Sequence, residues 1–547
     1  MTHKTSRIAL ACAALLLAPA ASWAATFTVD RADDALDHSL GDGLCYVLGG
    51  GCTLRAAIEQ ASALPGPHTI AFDFGGAPTT ISVGSSLPEI TRQVTIDGYT
   101  NGGTPNSAAT GNNAVITVRI DGFGSSMGTH GLRFHPGASQ SVLRGVAVTR
   151  FPGGAVVVNA QGGSNLADVT LAGNFFGLDL DGTTPLANDG GAVQIGNEAL
   201  RTTVGGSAAA DRNVIVASAS AVGISVIGSD WTRVAGNYIG TDRTGNVPLG
   251  TQGGVYVASA RNVGVEGNVI GARDIGVTID GGTQDTWVRA NRIGVGAGGA
   301  NIVGAPGSRH GVYVTNGSSA QSPYTTRIGS VNAVADGNTI SNWEGNGVRA
   351  ERLTANASNF SFLSILGNSI GDTGGEGIEL VDTATGQGTA PGSRAPNTMS
   401  HMPRPVITSV APGVVNFTLS GAEQDQWVRF EVFASPACHA GGWGGGSTYL
   451  GSVSMMDNGA GGNYSGSIPL PAPPAGTVLT MTASGDYGAG QFGSSEFSQC
   501  AAAVAGPVAP PAGPGGAAAI PVLGPVGLGL LSAVVAGWGA LRRRRED

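Results

Sequence analysis

Two short motifs recur through the middle of the chain, and their spacing constrains the fold more than any other feature. One is Gly/Ala-Asn-x-Ile/Phe-Gly. It stands at Gly173-Asn174-Phe175-Phe176-Gly177, Gly236-Asn237-Tyr238-Ile239-Gly240, Gly267-Asn268-Val269-Ile270-Gly271, Ala290-Asn291-Arg292-Ile293-Gly294 and Gly367-Asn368-Ser369-Ile370-Gly371, with weaker copies around Asn213 and Asn338. The other is a short alternating run, as in Gly223-Ile224-Ser225-Val226, Gly254-Val255-Tyr256-Val257 and Gly311-Val312-Tyr313-Val314. Its equivalent positions fall at Gln194, Ser225, Tyr256, Thr278, Tyr313, Arg349 and Glu379, steps of 31, 31, 22, 35, 36 and 30 residues. Such steps suit one coil of a solenoid plus variable loops. A propeller blade of roughly 40–50 residues does not fit a step as short as 22.

Period-2 alternation puts Val255 and Val257 on one face and Tyr256 on the other. One such strand cannot bury its apolar face alone, so copies must stack, with the apolar residues joining into an inner column. The asparagine falls where the chain turns. Asn tolerates left-handed φ, and its amide can bond the amide of the next coil. An internal ladder including Asn174, Asn237, Asn268 and Asn291 is expected. A solenoid also needs a cap. Leu54, Ala57, Ile58 and Ala61 recur at helical spacing, one face able to cover the first coil.

Composition agrees and excludes several chemistries. Of 547 residues 91 are glycine, about 17% against a usual 7% or so, and only 12% are charged. The single lysine, Lys4, lies in a leader-like N-terminus, which excludes Schiff-base, P-loop and lysine-base chemistry from the rest. Without the charged ends, 22 arginines face 35 acids, a balance of −13. No basic patch offers itself to nucleic acid.

The ends carry export signals. Residues 1–24 have a basic start (Lys4, Arg7), an apolar stretch from Ile8 to Pro19 and Ser22-Trp23-Ala24 as a cleavage site, the pattern of a secretory leader. Signal peptidase is the implied partner, and Cys12 leaves with the leader. A Pro/Gly/Ala linker over 504–519 precedes Val522–Leu541, twenty uncharged residues closed by Arg542–Arg545. That length can span a bilayer, with the arginines inside. Four cysteines remain as two distant pairs, each within one expected module. Disulfides Cys45–Cys52 and Cys438–Cys500 are expected in an oxidising compartment. Cofactors are not implied, and no zinc-type spacing occurs.

The run Gly43-Leu44-Cys45 to Cys52-Thr53-Leu54-Arg55-Ala56-Ala57-Ile58, then Leu87-Pro88-Glu89-Ile90-Thr91 and Val94-Thr95-Ile96-Asp97-Gly98, resembles the N-terminal region of secreted bacterial right-handed parallel β-helix repeat proteins. Residues 236–245 look like their repeat. Ile520-Pro521-Val522-Leu523 with the apolar stretch and arginine cluster resembles bacterial Ile-Pro-Thr-Leu sorting signals, with Val522 in place of threonine. The resemblance implies export, a cell-envelope or surface location, and anchoring through the C-terminal helix until a membrane sorting protease acts; a permanent anchor is the alternative. It assigns no activity. The expected order is an all-β chain: a capping region over 25–98, a right-handed parallel β-helix over 99–403, a small β-sandwich over 404–503, then the linker and a sorting segment over 520–547.

Candidate chemistry is sparse. Gly367-Asn368-Ser369-Ile370-Gly371 and Gly124-Ser125-Ser126-Met127-Gly128 match a nucleophile elbow only in letters, since neither has its strand-to-helix context. Asp179-Leu180-Asp181-Gly182 reads better as a turn than as a calcium loop. Asp372, Glu376, Glu379 and Asp382 form the densest acid group, which with Arg349 could serve a polysaccharide lyase or glycosidase. The outward stripe, above all Tyr256, Tyr313, Arg349 and Glu379, could lie along an extended glycan. Non-catalytic adhesion or binding of extracellular polysaccharide, or of a neighbouring surface, is the expected role; a purely structural envelope component is a third class.

Overall fold

The computed structural model describes residues 24–161, 166–303, 307–317, 323–353, 361–382 and 402–503, apart from 423–425, 440, 458–460, 472, 474–475 and 487–491. The expected leader (except residue 24), linker and sorting tail lie outside the described residues. Among the described residues no helix is long and apolar enough to cross a membrane.

Three long parallel sheets form the body. The first has eleven strands, from Thr26–Val29 to Ser361–Leu366; the second ten, from Thr79–Ser82 to Ser369–Ile370; the third nine, from Leu132–Phe134 to Ile378–Asp382. The chain visits them in rotation. Arg233–Ala235, Tyr238–Ile239 and Gly253–Ala258 make one coil, and Gly264–Glu266, Val269–Ile270 and Ile275–Ile279 the next, each strand pairing in parallel with its counterpart. This is a parallel β-helix. Sheet register reproduces the sequence steps: Ser225 pairs with Tyr256, Tyr256 with Thr278, and Thr278 with Tyr313.

The core follows from alternation. Ile224, Val255, Val277, Val312, Val348 and Ile378 stand in mutual register, each 2% exposed or less. Equivalent columns line the other two sheets, such as Val234, Val265, Val288 and Ile328, or Ile239, Ile270, Ile293 and Ile340. Each buried Val or Ile contributes roughly 1.5–3 kcal/mol.

The asparagines form an unbroken internal ladder. Nδ2 of Asn174 donates to Oδ1 of Asn213, and the pattern continues through Asn237, Asn268, Asn291 and Asn338 to Asn368, at 2.8–3.1 Å. Each Oδ1 also accepts the backbone N–H of the preceding ladder asparagine. Both degenerate copies of the motif therefore belong to the ladder.

A second column was not legible in the sequence. Gln140, Asp168, Arg201, Trp231, Asn262, Asp285, Thr325 and Phe362 all take positive φ, each two residues before an equivalent position of the first sheet. Left-handed φ is costly for most side chains. Here stacking offsets the cost: N–H of Asp168 donates to the Leu200 carbonyl, Arg201 to Asp230, and Trp231 to Arg261.

Both ends are closed. At the N-terminal end, helix Leu54–Ala63 starts on Thr53, whose hydroxyl accepts the Ala56 N–H, and buries Leu54, Ala57, Ile58 and Ala61 as expected. The disulfide Cys45–Cys52 lies beside its start. Arg55 grips Asp34 at 2.7 Å and the carbonyls of Ser85 and Ser86. At the other end two antiparallel sheets share one core. One holds Val406–Ala411, Val414–Leu419 and Tyr464–Pro469; the other holds Trp427–Ser435, Thr448–Met456, Val478–Asp486 and Phe492–Ser494. Cys438 and Cys500 are joined there.

This C-terminal pair of sheets stands in for the missing next coil. Ile365 N–H donates to Ser494 Oγ at 2.8 Å on the first sheet. Ile370 and Gly446 exchange backbone bonds on the second, and Leu380 N–H donates to the Glu496 carboxylate at 2.8 Å on the third. In inner coils the ladder glycine donates to a carbonyl of the next coil, as Gly267 does to Arg289. Gly367 donates instead to the buried carboxylate of Glu431 at 2.8 Å. Phe433 and Phe497 join the solenoid core as an aromatic plug, ring centroids 5.4 Å apart. Each of the three sheets thus has edge groups covered at this end, where an open edge would template aggregation.

Candidate functional site

Six register pairs bring the expected stripe together: Gln194, Ser225, Tyr256, Thr278, Tyr313, Arg349 and Glu379 lie side by side on the outer face of the third sheet. All seven are partly exposed. At about 4.8 Å per rung the row runs for roughly 29 Å.

The stripe is polar but tied down. Tyr256 Oη donates to Asp280 at 2.7 Å, and Tyr313 Oη to Glu351 at 2.9 Å. Arg349 bonds Glu351 at 3.0 Å and also Glu379, which accepts from Asn346 as well. His310 stacks on Tyr313 with ring centroids 5.4 Å apart, and its Nδ1 accepts the Asn346 N–H at 3.2 Å. Beside it Arg309 pairs with Asp274 at 2.7 Å. His310, Asn346 and Glu351 were not singled out from sequence. They stand two or three positions from its members on the same strands, and coil stacking adds the contacts Tyr313–Glu351, His310–Asn346 and Asn346–Glu379.

Burial dominates the electrostatics. Desolvation, helped by the positive charges of Arg349 and Arg309, lowers His310 to about 4, so its imidazole is neutral at pH 7. Desolvation raises Tyr313 to about 12 and Tyr256 as well, both reinforced by the carboxylate each faces. Glu379 is raised by burial, only partly offset by Arg349.

The four acids do not converge. Asp382 is fully buried in an ion pair with Arg352 at 2.6 Å. Glu376 pairs with Arg404 at 3.1 Å, and Asp372 meets Ser341 at 3.3 Å. Within the expected set Arg349 and Glu379 touch, and the charge of Glu376 adds to the rise of the Glu379 carboxyl. Asp181 caps its own turn through Thr183 and Thr184; burial would raise its carboxyl, but those hydrogen bonds carry it down to about 2. A small cavity between the solenoid and the C-terminal sheets, about 220 Å³, is lined by Asp372, Thr373, Ser435, His439 and Ser447. His439 Nε2 lies 3.3 Å from Thr373 Oγ1 there, while Ser435 and Ser447 contact each other.

The fold defines the class, a parallel β-helix with an outward polar-aromatic row. No family model and no curated protein sequence matches the chain. A solved structure similar to it is the tailspike protein gp49 from Acinetobacter baumannii bacteriophage Fri1, a capsular polysaccharide depolymerase. The identity is 11%, the match covers 82% of this chain and 70% of that one, and the TM-score is 0.15. The assignment of the β-helix rests on the strand pairing of this chain itself.

Proposed function

We propose that this is an exported, surface-associated protein whose right-handed β-helix holds an extended extracellular polysaccharide without cleaving it. The observation that carries this reading is the outward row from Gln194 to Glu379, continuous over seven coils, with Tyr256 and Tyr313 two rungs apart. Aromatic and charged groups at a regular rise suit a repeating polymer better than a single small molecule. The two antiparallel sheets are read as a β-sandwich module that caps the helix. The leader and tail fit processing by signal peptidase and a membrane sorting protease.

The test is glycan retention by the purified 25–505 fragment on an array of neutral and uronic-acid polysaccharides. Tyr256→Ala and Tyr313→Ala should each weaken retention by about tenfold or more, in line with the loss of one aromatic contact. Retention unchanged in both variants refutes binding on this face.

A second reading, a lyase or glycosidase, draws on one observation: Arg349 and the raised carboxyl of Glu379 meet beside Tyr313 and His310. Against it stands the engagement of the other acids, Glu376 with Arg404, Asp382 with Arg352 and Asp372 with Ser341, where hydrolysis needs two carboxyl groups across one bond. Unsaturated products or new reducing ends that vanish in Glu379→Gln would establish it.

A further inference from the structure

We infer that the outer face of the first sheet carries a separate binding groove for a carboxylated sugar. The groove encloses about 350 Å³ and is lined by Trp287, Arg289, Arg327, Ser330, Val331 and Ser364 among others. That lies within the roughly 300–1,000 Å³ of small-ligand clefts.

The geometry arises from register. Arg233, Gly264, Trp287, Arg327 and Ser364 occupy one outward row on successive coils. Gly264 leaves room for the indole to lie across it: a Cβ there would sit 2.7 Å from three atoms of the Trp287 ring. The indole therefore leans back toward Arg233, whose guanidinium is 5.9 Å from the ring centroid. Its Nε1 donates to Glu266 at 3.3 Å, which fixes the tilt. Leaning back opens the space over Arg327 and Ser364.

Charge marks the ligand. Glu266 is shared by Arg233 and Arg289. Arg327 is half-buried and joins no ion pair among the described residues. Arg233 and Arg289 thus share the one carboxylate of Glu266, while Arg327 lines the groove with no ion-pair partner among the described residues, in a chain whose net charge is −9. An arginine fork beside an aromatic face fits a pyranose ring that carries a carboxylate: the ring packs on the indole and the carboxylate takes the paired N–H donors of Arg327. The groove lies on a different sheet from the row of Tyr256 and Tyr313 and does not depend on it.

Calorimetric titration of the whole chain with tri-galacturonate, its methyl ester and maltotriose tests the inference. Tri-galacturonate should bind, and the two neutral sugars should bind about ten- to a hundredfold more weakly, as expected for the loss of a charge-assisted contact. Arg327→Gln should reduce tri-galacturonate binding to the level of the ester. Gly264→Ala, which displaces the indole but keeps every arginine, should weaken all three sugars together. If tri-galacturonate affinity falls in Tyr256→Ala and stays at the wild-type level in Arg327→Gln, the third sheet holds the sugar and this inference fails; the reverse pattern leaves this inference standing whatever becomes of the third-sheet reading. The inference is overturned by no binding of tri-galacturonate, by equal binding of the ester, or by wild-type affinity in an Arg327→Gln variant with unaltered melting temperature.

Discussion

Asn268→Ala probes the internal ladder most directly. The Asn268 amide accepts the Asn237 N–H at 2.9 Å and Asn237 Nδ2 at 3.0 Å, and donates to the Val234 carbonyl at 2.8 Å and Asn291 Oδ1 at 3.0 Å. Alanine removes all four. Asn237 Nδ2 keeps Val204 and Ala235 as acceptors, so its loss is small. The Asn237 N–H has no such reserve and is left buried, at about 1–3 kcal/mol. The other lost bonds add about 0.5–1.5 kcal/mol each, so the total comes to roughly 4 kcal/mol. Native-state hydrogen exchange gives the local readout. The Asn237 amide should lose about 100- to 1,000-fold of its protection, while amides near Asn368 change little, because a solenoid couples mainly neighbouring coils. Asn113→Ala serves as comparison, since its bonds to Ser107 are on the exposed surface. If Asn268→Ala and Asn113→Ala cost the same within about 1 kcal/mol, the ladder does not hold the coils together, and the reasoning fails.

Other expectations concern the ends and the pH response. Burial raises Glu496 to about 7 despite Arg404, and raises Glu431 too. A raised carboxyl contributes stability that is complete below its ordinary value near 4.5 and is lost as pH climbs through 7. His310, lowered to about 4, has the opposite sign: its contribution is complete above its ordinary 6.5 and is lost as pH falls toward 4. The stability of Glu496→Gln relative to wild type should therefore rise with pH between 4.5 and 7, and that of His310→Gln relative to wild type should fall between 4 and 6.5, in melting curves taken at each pH. Differences from wild type that slope in the same direction in the two variants would contradict the assignment. Reducing Cys438–Cys500, which closes 62 residues, should cost about 4 kcal/mol, against about 2 for the 7-residue closure at Cys45–Cys52, by loop entropy alone; denaturant midpoints of Cys438→Ser and Cys45→Ser measure the difference. Glu431→Ala should leave the Gly367 N–H without its acceptor and release the C-terminal sheets first, seen as faster hydrogen exchange of amides in Trp427–Ser435 and Val478–Asp486 with those of the inner coils unchanged.

The amino-acid sequence by itself determined the coil. Ile224, Val255, Val277 and their successors recur at intervals that only stacking can satisfy, because one alternating strand cannot bury its own apolar side. The same spacing located the outward row and the asparagines, including degenerate copies such as Asn213 and Asn338. It also paired the cysteines and placed the capping helix. Tertiary structure decided what the row is made of electrostatically. His310, Asn346 and Glu351 stand on the row's own strands and bond its members across coils, and the acids around 372–382 each find a different partner: Ser341, Arg404, Arg349 or Arg352. The groove at Trp287 and Arg327 was equally hidden, since it needs Gly264 beneath the indole one coil earlier. Spacing along a chain fixes which residues share a rung face, but the lean of a side chain is set by neighbours twenty to forty positions away, and those contacts exist only once the coils have closed on one another.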